Sequence, residues 1–95
     1  MVRYPVSIPA DLANSLTDCY FEIAKQADDI DISMHAYSAV HFFVTDATFA
    51  SSDDYHTWLY GILLPCARHI ADINIDLGAE TTSLLVELSE LCSSH

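Results

Sequence analysis

Apolar and polar positions recur with a helical period along most of this chain. At 100° per residue, Leu12, Leu16, Cys19, Ile23 and Ala27 fall on one stripe, with Ala13, Tyr20 and Ala24 beside it. The pattern predicts a first helix from about Ser7, as N-cap, to about Ala27, with Pro9 in the first turn, where a missing N–H costs nothing. Asp11, Asp18, Glu22 and Asp29 line up on the opposite side, spaced 7, 4 and 7 residues apart. They form an acidic ridge.

The stretch from Asp28 to Ser33 reads as a turn, with Asp31 or Ser33 capping a second helix from about Met34 to Ala50. Its expected core stripe is Ala36, Tyr37, Ala39, Val40, Phe43, Val44, Ala47 and Ala50. Phe42 and Phe49 then land on the far side, among His35, Ser38, Thr45 and Asp46. Two phenylalanines on a polar face predict a homodimer interface on the back of this helix, with the rings of two copies burying each other across a two-fold axis.

Ser51 and Asp54 stand at capping-box spacing before a third helix that runs past Trp58 towards Leu64. Pro65 lacks an N–H and crowds the carbonyl of residue 61, so a kink or break is expected there, eased by Gly61. The stripe Cys66, Ile70, Ile73, Leu77 belongs to a following helix that Gly78 ends or interrupts. A last helix, about Ala79 to Cys92, turns Leu84, Leu85, Leu88, Leu91 and Cys92 inward and Ser83, Glu87 and Glu90 outward. With no Asn-Gly or Asp-Gly hairpin signal and no sustained alternation, strands have little support. The expected fold is all-α: a small antiparallel four-helix bundle, or a kinked four-to-five-helix one, dimeric. It forms a single domain over residues 1–95, with 1–6 flexible and 93–95 frayed.

Composition adds a partner to this picture. Of the 95 residues, 52% are hydrophobic, whereas a chain of this size removes only roughly 60–65% of its unfolded surface from water. Some apolar surface is left for another molecule. Fourteen acids face only Arg3, Lys25 and Arg68, a formal net charge of −11. That field disfavours direct nucleic-acid binding and anionic membranes, and favours another protein with a basic surface. Acids 4 and 7 residues apart on a helix lie ~6 and ~10.5 Å apart along its axis, close to phosphate spacings, so the ridge could mimic nucleic acid. A solvated helix face is the plainer reading. Charged residues make up 18% and are interleaved with apolar ones, so the chain should fold.

Candidate chemistry is sparse. Cys19, Cys66 and Cys92 are odd in number and widely spaced, which fits reduced, buried thiols in a cytoplasm better than a disulfide framework. The opening MVRYPVSIPADL lacks the apolar region of a signal peptide, and the uncharged run 32–45 is too short and polar to span a bilayer. Asp53-x-x-His56 and Cys66-x-x-His69 have ligand-compatible spacing but supply two ligands each. His69 lies on the arc of Asp72 and Asp76, which reads as a solvated face, and His95 as a frayed end. No metal, cofactor or enzyme activity is expected. The alternative is a bundle that takes a small molecule or metal through His35, His41, His56, His69 and the tyrosines.

The most informative segment is Asp53 to Tyr60. Tyr55, Leu59 and Ile62 share one stripe, so Trp58, Tyr60 and Leu63 cannot all share that core face. Tyr55, Trp58 and Tyr60, with Asp53 and Asp54, are therefore the expected partner-binding anchor, against the plainer alternative of a central helix buried all round. The expected function is a stoichiometric inhibitor or regulator of a protein partner, of the antiactivator, immunity, antitoxin or phage anti-defence kind, occluding a basic nucleic-acid-binding surface.

Overall fold

The computed structural model describes residues 5–93. The expectations for residues 1–4 and 94–95, Arg3 and His95 included, lie outside the described residues.

Helix α1 (Ala10–Gln26) buries Ala13, Leu16, Cys19, Tyr20, Ile23 and Ala24, the arc its periodicity predicts. Pro9, not Ser7, is its N-cap. The chain turns extended at Ala27, and the Asp29 carboxylate then caps helix α2 (Ile30–Thr45), accepting from the N–H groups of Asp31 at 2.9 Å and Ile32 at 3.3 Å. Satisfying otherwise orphaned N–H donors at a helix start explains why α2 begins four residues earlier than its apolar pattern suggests.

The end of α2 departs furthest from expectation. The N–H groups of Asp46 and Ala47 both donate to the Phe42 carbonyl, and Ala47 takes a left-handed φ of 53°. The helix therefore stops at Thr45. Thr48–Phe49 leaves as strand β2 and pairs antiparallel with β1 (Val6–Ser7), Val6 opposite Phe49 and Ser7 opposite Thr48; Ile8 N–H extends the ladder to the Ala47 carbonyl at 2.8 Å. A left-handed alanine costs roughly 1–2 kcal/mol. Full burial of Val6 and Phe49 offsets it.

Four expectations are corrected here. Residue 6 is a core residue and no part of a flexible terminus, and a short two-stranded sheet does form. Phe49 lies outside α2, so it has no helical relation to Phe42, and both rings are buried, 5.0 Å apart. Neither is available as a dimer surface. The buried arc of α2 also turns towards Phe42 and away from Tyr37 and Val44, which are exposed. The cause is the packing of Phe49 and Trp58 on Phe42.

Helix α3 (Ser52–Trp58) opens with the predicted cap: the Ser51 hydroxyl accepts from Asp54 N–H at 3.2 Å, and the Asp54 carboxylate accepts from Ala50 N–H at 3.0 Å. Pro65 neither breaks nor ends the rod. A π turn over Leu59–Leu63, in which Leu64 N–H reaches the Leu59 carbonyl, widens the spiral ahead of the proline and carries it into α4 (Leu64–Ile73). A single wide turn re-routes the ladder around the missing donor. Gly61 is not what permits this, since a Cβ there would meet nothing within 4 Å.

The break expected at Gly78 falls at Asn74. Its N–H donates to the Ile70 carbonyl to close α4, and its side-chain oxygen accepts from Leu77 N–H at 3.1 Å to open α5 (Ile75–Ser93). One residue caps two helices. Asn74→Ala should cost about 1 kcal/mol of stability, read as a lower denaturation midpoint at unchanged slope. Gly78 lies inside α5, where the helices touch: a Cβ there would stand 2.6 Å from the Ala71 Cα.

The chain is thus all-α, an antiparallel bundle of four rods: α1, α2, the continuous α3–α4 rod and α5. Tyr20 is fully buried at its centre, and its hydroxyl donates to the Leu63 carbonyl at 2.7 Å. A buried hydroxyl with a partner links α1 to the π turn without an unsatisfied polar atom.

Candidate protein-interaction site

The acidic ridge survives in part. Asp11 and Asp18 are exposed and Glu22 half-exposed along α1, but Asp29 has left the row to cap α2. Glu22 is further tied to Lys25 at 2.8 Å, which with Gln26 holds its carboxyl below the usual range.

What replaces the fourth carboxylate comes from α5. The side chains of Gln26 and Asn74 hydrogen-bond at 3.0 Å, and Thr81 meets Cys19, so α1 and α5 run antiparallel in contact. Their seam opens into a trough of about 520 Å³ between Pro9–Ser15 and Leu84–Leu91. Half-buried Leu12, Leu84 and Leu91 form its floor, and exposed Asp11, Glu87 and Glu90 its rim. Further along the seam, burial pushes the Cys19 thiol up, with the Thr81 hydroxyl opposing and the negative charges of Glu80 and Asp18 adding to the rise. Carboxylates from two helices converge on one apolar channel.

Glu87 and Glu90 read as outward residues in the sequence, yet nothing there joins them to the α1 ridge. The antiparallel approach of the first and last helices does so, and only a signal for that pairing could have shown it.

The aromatic segment divides. Tyr55 is buried against Phe49, its hydroxyl in a short hydrogen bond with the Ser89 hydroxyl, and its own ionisation is pushed up by burial. Trp58 is half-buried, stacked on Phe42 at 4.6 Å. Tyr60 is 67% exposed and stacks on His56 at 6.2 Å. The structure therefore separates the three rings instead of presenting one anchor, because helical spacing sends them to different sides of the rod. Asp54 is occupied in capping, and Asp53 is exposed in the first turn.

Histidines and thiols do not converge either. His69 Nε2 lies 2.8 Å from an Asp28 carboxylate oxygen, His56 faces Tyr60, and His35 and His41 are exposed on α2. Among the described residues, no three His, Cys, Asp or Glu side chains are grouped to hold a metal ion. All three cysteines are buried and unpaired. Burial raises the Cys66 thiol to about 12 and Cys92 to about 11, so neither supplies a thiolate nucleophile near neutral pH. No helix among the described residues is long and apolar enough to cross a membrane. Comparison with protein-family models, with curated proteins and with solved structures gives no match to this chain.

Proposed function

We propose that this protein is an acidic interaction module whose α1–α5 trough takes a basic, amphipathic segment of a protein partner. The observation that carries this reading is the trough itself: Asp11, Glu87 and Glu90 on the rim, leucines on the floor. Apolar residues of the partner would lie on Leu12, Leu84 and Leu91, while Lys or Arg side chains extend to the carboxylates. The net charge of −11 would speed encounter with such a partner and repel polyanions. By covering a basic surface otherwise used for nucleic acid, the module would act as a stoichiometric inhibitor or regulator of its partner, in the manner of an antiactivator, immunity protein, antitoxin or phage anti-defence protein. Three buried, reduced thiols suit work in the cytoplasm.

The test uses a synthetic Lys/Leu amphipathic peptide and a Gln/Leu peptide of equal length, followed by fluorescence anisotropy. The protein should bind the first and not the second, with affinity falling as salt rises towards ~0.15 M. The triple variant Asp11→Asn, Glu87→Gln, Glu90→Gln should weaken binding at least ~10-fold and flatten the salt dependence. Equal binding of both peptides, or a triple variant that binds like the parent, would remove the trough from the account.

A further inference from the structure

We propose that two copies of this chain pair through the outer face of α2, antiparallel, about a two-fold axis passing at Tyr37. The face is built by Ile30, Met34, Tyr37, His41 and Val44, which at 100° per residue occupy an arc of about 80°. Four of them are apolar and open to solvent, Ile30 at 75%, Met34 at 61%, Tyr37 at 49% and Val44 at 65%. Their spacing of 4, 3, 4 and 3 residues is that of a seam between packed helices.

Charge decides what can. From Met34 to Thr45 α2 carries no Asp, Glu, Lys or Arg, only the histidines His35 and His41, between Asp31 at its start and Asp46 just beyond its end, in a chain that carries fourteen acids. A basic partner is drawn to the carboxylates of α1 and α5, whereas an uncharged apolar window is where a second chain of charge −11 can approach closely with least repulsion.

The order of residues sets the orientation. Ile30 and Val44 lie seven residues to either side of Tyr37, and Met34 and His41 three and four. An antiparallel pair centred on Tyr37 therefore sets each Ile30 against the Val44 of the other copy and each Met34 beside its His41. Such a contact is closed and self-complementary. It also opposes the two helix dipoles.

The area is sufficient. With Phe21, whose ring touches Tyr37 at 6.4 Å, the face exposes on the order of 500 Å² per copy, the upper range of a monomer's largest apolar patch. Complete burial of the face in both copies would cover about 1,000 Å², the lower limit for a specific interface. Because α2 and α5 pack on different sides of α1, pairing here leaves the acidic trough of each copy open, and the two proposals stand or fall separately.

Sedimentation equilibrium on the full chain at tens of micromolar should give a dimer. Tyr37→Glu should shift the association constant at least ~10-fold towards monomer, with helical circular dichroism unchanged because the side chain is half exposed. Orientation is read by mild oxidation: Tyr37→Cys should cross-link to itself, Ile30→Cys should not, and Ile30→Cys mixed with Val44→Cys should. A parent chain that stays monomeric, a dimer indifferent to Tyr37→Glu, or self-cross-linking of Ile30→Cys would each overturn the proposal.

Discussion

Replacing Phe49 by alanine should lower the unfolding free energy by about 3–5 kcal/mol, the usual cost of removing a buried phenylalanine. The ring is fully buried and contacts Phe42 at 5.0 Å and Tyr55 at 5.2 Å, while its backbone pairs with Val6. Truncation opens a cavity at the one place where the N-terminal strand, the end of α2 and the start of α3 meet. For a domain of this size the melting temperature should fall by roughly 15–25 °C. The experiment also separates two roles for the residue. A ring serving only a contact between copies would give a loss that grows with protein concentration, whereas a core ring gives one that does not.

The two glycines should respond with opposite signs. Gly78→Ala places a methyl group 2.6 Å from the Ala71 Cα and 2.7 Å from its Cβ. Backbone must yield, and overpacking of this kind costs roughly 1–3 kcal/mol, reduced by the ~1 kcal/mol that alanine gains over glycine in a helix. Adding Ala71→Gly should not restore stability, because the clash with Cα remains. Gly61→Ala meets open space and keeps only the propensity gain, so it should stabilise by up to ~1 kcal/mol. Urea denaturation of the three variants checks both signs. A stabilising Gly78→Ala would mean that α4 and α5 lie further apart than the 2.6 Å approach to Ala71 implies.

Where the sequence could be read, local chemistry was sufficient. The inward arc of α1 follows from its polar opposite face, and the Ser51 cap from the hydroxyl and carboxylate at fixed spacing. In α2 the apolar residues surround the axis, so periodicity leaves the core direction open: Ala36, Ala39 and Phe43 of the expected stripe are buried, whereas Tyr37 and Val44 are exposed. The side that won is the one that long-range partners supplied: Phe49 after a left-handed Ala47, and Trp58 from the next rod. Glycine misled in the same way. Gly78 reads as a helix end, yet its missing side chain serves a close approach to Ala71, while Asn74 does the capping. Of the candidate site, the α1 half was visible as a row of acids. The α5 half depended on which helices become neighbours, a property of topology and not of spacing.

The three sealed thiols turn the molecule into its own clock. Cys66 is fully buried and its thiol is pushed up by that burial, so an alkylating reagent reaches it almost only when the surrounding helices part. Cys19 belongs to α1, Cys66 to α4 and Cys92 to the last turn of α5. Their relative labelling rates would rank the opening of three separate parts of the bundle without any added probe. The end of α5 should part first, as helix termini do.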